Sequence, residues 1–167
     1  TNMNQYFTHL NLNYDKQQLL REFEKRELDP YTPSRPPRGQ SWFAHTTQWL
    51  THTVTDYADL PEMLCLYTMF TEMFDTEITA KYFKLLENVE LPPHTDMGHR
   101  ACINIVLSDD PAPVWYKDYG DETYTCAMLN VAKRHGVKPG PERKMIKFQL
   151  GNIYYADALD KWNQRFS

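Results

Sequence analysis

The stretch Leu91-Pro92-Pro93-His94-Thr95-Asp96 decides how the rest of the chain is interpreted. Side chains two apart on an extended segment point the same way, so His94 and Asp96 can offer an imidazole nitrogen and a carboxylate oxygen to one ion. His135, which lies beside Gly136 on a later predicted strand, would supply a third ligand. Neutral imidazole and ionised carboxylate bind a borderline divalent cation well, so the sequence predicts a metal site at His94, Asp96 and His135.

Other interpretations of this stretch remain open. His-x-Asp is a common tripeptide that also occurs in surface turns, where the Asp accepts a hydrogen bond from a nearby backbone amide. His99 is a rival third ligand, but its odd separation from His94 would turn it to the other face of a strand, so His135 is preferred. A zinc or manganese cupin would use the same ligand set.

The sequence around this stretch predicts a series of short strands. Apolar and polar residues alternate after Thr76, and Pro- and Gly-containing turns separate the runs. The predicted strands are 78–86, 89–96, 101–108, 114–116, 123–130 and 143–150, with a hairpin turn at 119–121 between the fourth and fifth. The segment 41–57 fits either a strand or a short helix.

Three helices are predicted outside this region, at 15–28, 60–74 and 155–166. Asp15 is the expected cap of the first helix, and Pro61 suits the first turn of the second. Together with the strands they predict an α+β fold, a jelly-roll sandwich with helices packed on it. A chain of 167 residues suits one domain. Its helical N-terminal part would span about 1–75, its β-sandwich core about 76–150 and its closing helix about 155–166.

The composition narrows the class of protein. A hydrophobic content of 41% is globular, and no apolar run is long enough to cross a membrane. The formal charge of −4 argues against a protein that binds nucleic acid mainly through phosphates. Three cysteines without Cys-x-x-Cys spacing favour a reducing compartment, and the N-terminus lacks a basic and then apolar leader. We therefore expect a soluble, cytoplasmic protein.

Over residues 83–150 the chain resembles the 2-oxoglutarate/Fe(II) dioxygenases of the double-stranded β-helix (cupin-like) fold. The aspartyl/asparaginyl β-hydroxylases and prolyl hydroxylases are the most similar. The resemblance lies in Leu91 to Asp96, the strand 101–108, the element from Leu129 to Val137, and Glu142-Arg143. It implies Fe(II) bound by His94, Asp96 and His135, with 2-oxoglutarate and O₂ as co-substrates and ascorbate as a possible supporting reductant. Two His and one carboxylate form the facial triad of non-heme Fe(II) oxygenases.

The resemblance also implies a cation for the far carboxylate of 2-oxoglutarate. A guanidinium can bind a carboxylate through two parallel hydrogen bonds, and Arg143 lies where the family places this cation. Lys144 is a second candidate, because it shares the apolar face of its strand with Ile146 and Phe148, and prolyl hydroxylases use a lysine near this point. Arg100 is a third, because aspartyl β-hydroxylases use an arginine shortly after the first ligand. We favour Arg143.

The reaction implied is hydroxylation of an unactivated C–H bond, coupled to decarboxylation of 2-oxoglutarate to succinate and CO₂. We expect the substrate to be an amino-acid side chain in a peptide or protein, held between the Pro-rich loop 29–39 and the hairpin 114–130. That hairpin carries Trp115, Tyr116, Tyr119 and Tyr124. A free amino acid or small metabolite is the main alternative substrate. A metal cupin that is not an oxygenase, or a non-catalytic jelly-roll binding module, remains open, as does the oligomeric state.

Overall fold

The computed structural model describes residues 4–31, 49–96, 101–110 and 113–166. The helices in these ranges are α1 (Lys16–Phe23), α2 (Pro61–Phe74) and α3 (Tyr155–Phe166). The strands are β1 (Phe7–His9), β2 (Asp29–Pro30), β3 (Trp49–Val54), β4 (Ile78–Leu85), β5 (Leu91–His94), β6 (Cys102–Val106), β7 (Val114–Tyr116), β8 (Gly120–Glu122), β9 (Cys126–Leu129), β10 (His135–Val137) and β11 (Arg143–Leu150).

The strands form two sheets that face each other. The larger sheet has the order β1-β9-β6-β11-β4-β3-β2, and the smaller one has the order β5-β10-β7-β8. Every pairing is antiparallel. Apolar side chains of both sheets, such as Val114 and Leu129, meet in one buried cluster between them. This arrangement confirms the predicted α+β sandwich.

The outer face of the larger sheet is covered by the helices. Ile146, Phe148 and Leu150 of β11 are fully buried there against side chains of α2 and α3. The rings of Phe70 and Phe148 meet edge to face, with centroids 4.9 Å apart. The larger sheet is therefore the middle layer, with helices on one face and the smaller sheet on the other.

A buried carboxylate joins α1 to α2. Pro61 begins α2, as predicted, and Leu60 at the N-cap offers no side-chain cap. Glu22 of α1 takes that role, because its carboxylate accepts hydrogen bonds from the backbone N–H groups of Glu62 and Met63, each at 3.0 Å. A negative charge is favourable at a helix N-terminus, so this contact fixes α1 and α2 relative to each other.

Several element predictions are confirmed and others are wrong. The predicted bounds 114–116, 143–150 and 155–166 are those observed, and Asp15 caps α1. However, α1 ends at Phe23, and the charged residues 24–27 that follow lie in a turn and irregular chain. The strand that returns from the hairpin is β8, whereas β9 lies in the other sheet. β1 and β3 also join the larger sheet, so the first 75 residues contribute strands as well as helices.

Among the helices that the structure describes, none has the length and apolar character needed to span a membrane. The cytoplasmic location stays a prediction. The loop beyond Tyr31, with its arginines and prolines, lies outside the described residues, as do His99 and residues 41–48 of the segment that fitted either a strand or a helix.

Candidate metal centre

The two predicted imidazole ligands face each other across one strand pair of the smaller sheet. His94 on β5 is the direct partner of His135 on β10, and their ring centroids are 4.6 Å apart. Gly136 makes this close pairing possible, because a Cβ at this position would lie 2.5 Å from the backbone oxygen of Leu91. The glycine next to the distal His is therefore required by the close approach of the two strands.

Asp96 completes the cluster from the segment that follows β5. Its backbone N–H donates to the carbonyl of Val131 at 3.0 Å, which holds this segment against the loop before β10. Its Oδ1 lies 3.2 Å from Nε2 of His94 and 3.5 Å from Nε2 of His135. The structure thus brings the three predicted ligands together, with one ligand atom of each within 4.8 Å of the others.

The outer nitrogens of both imidazoles are held by backbone carbonyls. Nδ1 of His94 lies 2.7 Å from the oxygen of Pro92, and Nδ1 of His135 lies 2.7 Å from the oxygen of Lys133. A carbonyl oxygen only accepts, so Nδ1 carries a proton, and in the neutral imidazole that binds a metal Nε2 keeps its lone pair. Two imidazole lone pairs and a carboxylate oxygen then converge on one point, and this donor set fits a divalent metal ion.

Lys147 holds the second oxygen of Asp96. Its Nζ lies 2.6 Å from Oδ2, and the side chains of both residues are only 13% exposed. Burial would lower the pKa of Lys147, but the charge and hydrogen bond of Asp96, together with Cys102 and Tyr31, raise that pKa above its usual value. The lysine is therefore charged, and it leaves Oδ1 directed at the imidazoles. The sequence analysis did not identify Lys147, although its position on the same strand face as Arg143 is a signal for it.

The cluster opens into a cleft between the two sheets, with an empty volume of about 640 Å³ that includes its opening to solvent. Most of its lining is apolar or aromatic, and the residues used below are Trp49, Phe83, Asn104, Tyr124, Arg143 and Met145. The ring centroids of Trp49 and Phe83 lie 5.3 Å apart, and these two rings form an aromatic wall that Tyr31 extends. The sequence analysis did not foresee this wall, because it left the segment of Trp49 undecided between strand and helix.

Arg143 is buried in this cleft. It is 4% exposed, and its Nη2 donates to the hydroxyl of Tyr124 at 2.5 Å. Asn104 Nδ2 donates to the same hydroxyl at 2.9 Å. Burial raises the pKa of Tyr124, and the charge of Arg143 offsets part of that rise. The arginine is thus a fixed cation on the cleft side of β11, the side that also carries Lys147.

Lys144 lies on the opposite side of β11. Its Nζ lies 2.9 Å from Oε1 of Glu24 and 5.8 Å from the ring centroid of Phe23, both next to α1. Lys144 was a candidate because it shares the apolar face of β11 with Ile146 and Phe148, but this face packs under the helices. This corrects the expectation for Lys144, which does not line the cleft. Arg100 lies outside the described residues.

The four aromatic residues predicted on the hairpin have different environments. Tyr124 lines the cleft. Tyr116 is fully buried opposite His135 and donates its hydroxyl to the carbonyl of Asn130. Tyr119 is 47% exposed and packs on Tyr6, whereas Trp115 is partly buried. The position of Tyr116 is therefore explained by packing in the core.

Comparisons with known proteins show similarity at the level of structure. No protein-family model matches the chain, and no curated protein sequence matches it. A prolyl-4-hydroxylase from Pseudomonas putida aligns over 89% of this chain and 94% of its own, with a TM-score of 0.58 and 12% identity. A viral collagen prolyl hydroxylase from Paramecium bursaria Chlorella virus-1, solved as a 2-oxoglutarate complex, covers 90% and 97% with a TM-score of 0.56 and 7% identity.

A third solved structure extends the similarity beyond prolyl hydroxylases. An oxidoreductase of the 2OG-Fe(II) oxygenase family from Burkholderia pseudomallei aligns over 81% of this chain and 77% of its own, with a TM-score of 0.56 and 12% identity. At such low identities the likeness establishes a shared fold. The chain therefore has the double-stranded β-helix fold that the sequence analysis predicted.

Proposed function

We propose that this protein is a 2-oxoglutarate- and Fe(II)-dependent oxygenase that hydroxylates an unactivated C–H bond. The observation that carries the proposal is the convergence of His94, Asp96 and His135 at a cleft that also holds the buried cation Arg143. The similarity in fold to solved oxygenases, including one solved with 2-oxoglutarate, supports it. The strands contributed by the first 75 residues favour one oxygenase domain over residues 1–167.

In this proposal, Nε2 of His94, Nε2 of His135 and Oδ1 of Asp96 hold the Fe(II) ion. The two carbonyls that accept from the Nδ1 atoms fix the orientation of the rings. Lys147 already binds Oδ2 of Asp96, so Oδ1 is the carboxylate oxygen that would face the ion. A set of three protein ligands would leave room beside the ion for the co-substrates. When bound, the metal and its co-substrate supply the oxidising chemistry.

Arg143 is the proposed partner of the far carboxylate of 2-oxoglutarate. It is four residues from Lys147 on β11, which is roughly 13 Å along an extended strand, and this leaves room for a five-carbon diacid between metal and guanidinium. Tyr124, already hydrogen-bonded to Arg143, would orient the guanidinium. The apolar lining excludes water and strengthens this charged contact.

For the substrate we propose an amino-acid side chain in a peptide or protein. The prolyl hydroxylases of similar fold are named for such a substrate, and the aromatic wall offers a surface for an apolar group. The test follows succinate release together with the gain of one oxygen atom in mass, with peptides, free amino acids and oligonucleotides as substrates and ascorbate present. Turnover only with free amino acids or oligonucleotides would contradict the peptide assignment and leave the oxygenase assignment intact.

The oxygenase assignment is tested by anaerobic titration of the protein with Fe(II) and 2-oxoglutarate. Bidentate chelation of Fe(II) by the keto acid gives a weak visible charge-transfer band, and we expect this band only when both are present. Metal binding without any band would indicate a metal cupin of another activity. If neither metal binding nor the band is observed, the protein would be a non-catalytic jelly-roll module.

A further inference from the structure

A second lysine lies beside Lys147 at the metal end of the cleft. Lys81 on β4 is the direct partner of Lys147 on β11, and alternation along both strands places the two side chains on the cleft face of the sheet. Lys81 is half-buried. Burial lowers its pKa and the charge of Lys147 lowers it further, whereas the charge of Asp96 offsets part of that fall. Like charges placed opposite each other in a sheet are destabilising, and these two ammonium groups share one neighbouring carboxylate, that of Asp96.

Among the described residues, Asp96 supplies one negative charge for these two lysines. None of the described acidic side chains forms an ion pair with Lys81. Asp96 is the acidic residue among those lining the cleft, and Lys147 already binds it. A partly desolvated ammonium without an ion pair is unfavourable, so a second anion beside Lys81 would stabilise this arrangement.

The metal and co-substrate of the proposed function would not neutralise the lysines. The charges of a divalent metal, Asp96, Arg143 and dianionic 2-oxoglutarate cancel one another. Lys81 and Lys147 then remain as excess positive charge beside the metal. Lys147 is tied to Asp96, so of this lysine pair Lys81 is the one available to a further group.

Lys81 also lies where a substrate can reach it. Its other strand partner is Thr53, which is exposed, whereas the partner of Lys147 on the far side is Asn104, which is 5% exposed. This row of residues therefore runs from exposed Thr53 through Lys81 to Lys147 and Asn104, which line the cleft. Arg143, by contrast, lies in a covered row opposite Leu85.

We propose that Lys81, supported by Lys147, binds a carboxylate of the substrate beside the metal. This inference rests on the proposed oxygenase function and names its substrate class: an amino-acid residue that carries a carboxylate. The carboxylate belongs either to an acidic side chain or to the C-terminus of a peptide. Both supply the same chemistry, and the experiment distinguishes them.

The experiment measures binding to protein loaded with Mn(II) and 2-oxoglutarate under anaerobic conditions, using calorimetry. One probe pair is the capped amino acids N-acetyl-aspartate amide and N-acetyl-asparagine amide, which differ mainly in charge. The other is N-acetyl-dialanine with a free C-terminus or with an amide. We expect one acidic probe to bind about tenfold more tightly than its neutral partner, as a charge-assisted hydrogen bond predicts.

The variant Lys81→Met should abolish this preference for the acidic probe. Lys84→Met is the matched control, because Lys84 lies on the same strand with the opposite orientation and pairs with Glu142 at 3.7 Å. The control should keep the preference. Since Lys81→Met removes a like-charge contact, we also expect it to fold, and thermal unfolding should show a melting temperature no lower than that of the wild type.

Three results would overturn the inference. These are equal binding of acidic and neutral probes in both pairs, an unchanged preference in Lys81→Met, or a loss of 2-oxoglutarate affinity in that variant, which would assign the lysine to the co-substrate. Failure of the wild-type protein to bind 2-oxoglutarate in the loading step would instead contradict the proposed function.

Discussion

The two faces of β11 have opposite roles. On one face Arg143, Met145 and Lys147 line the cleft, and two of these three side chains are charged. On the other face Ile146, Phe148 and Leu150 are fully buried under the helices. The helix face stabilises the fold through apolar burial. The cleft face holds charges in a poorly solvated space, where each one needs a partner. The apolar face of β11 thus anchors the strand to the helices, and this holds the side chains of its cleft face in position.

The anchoring face should give the largest loss of stability. Phe148→Ala removes a ring packed against Phe70, and we expect a loss of about 3–5 kcal/mol in the free energy of unfolding. Urea unfolding measures it. Met145→Ala, a partly buried residue on the cleft face of the same strand, is the control and should cost less. Equal losses would mean that the two faces do not differ as described.

The next prediction separates charge pairing from apolar packing. Lys147→Met leaves Asp96 buried without its ammonium, and we expect the metal-free protein to lose about 3 kcal/mol, the lower end for breaking a buried pair. Mn(II) would replace the missing positive charge. It should therefore stabilise the variant more than the wild type in urea unfolding. An equal gain in both proteins would show that Asp96 does not face the metal.

The third prediction concerns the co-substrate end of the cleft face. Arg143→Met should weaken 2-oxoglutarate binding roughly ten- to hundredfold, because one charged hydrogen-bond partner is lost. Mn(II) affinity, measured by calorimetry on the same samples, should stay nearly unchanged. A fall in both affinities would indicate a general collapse of the cleft.

The smallest effect is expected at Lys144, the neighbour of Arg143 that faces the other way. Its ion pair with Glu24 is largely exposed on the Glu24 side, so Lys144→Met should cost less than about 1 kcal/mol, and less again in high salt. Its 2-oxoglutarate affinity should equal that of the wild type. A loss of that affinity in Lys144→Met but not in Arg143→Met would reverse the assignment of the two faces.

The sequence was informative where a local pattern is tied to one structure. Alternation predicts the bounds of β11, and the two-residue spacing of His94 and Asp96 places both side chains in one cluster. The local sequence does not determine which strands pair with each other in a sheet. The return strand of the hairpin was therefore misplaced, and β1, with three residues, was too short to show a period.

The orientation of β11 was harder to predict, because two faces of the same sheet are buried. Ile146 and Phe148 suggest an interior face, but the helices supply an interior outside the sandwich. The cleft face carries Lys147 and Gln149, whose charge and polarity resemble those of a surface. Only its contact with Asp96 identifies Lys147 as part of the site.

The central claim is that His94, Asp96 and His135 bind one divalent metal ion. Calorimetric titration of Mn(II) into the wild type, His135→Ala and His52→Ala tests it most directly, because His52 lies outside the cluster and stacks on Tyr82. We expect one ion per chain and an unchanged Mn(II) affinity in His52→Ala. In His135→Ala we expect the Mn(II) affinity to fall more than about a hundredfold, which exceeds the loss from removing a residue that only supports a ligand. Undiminished affinity in His135→Ala would contradict the account.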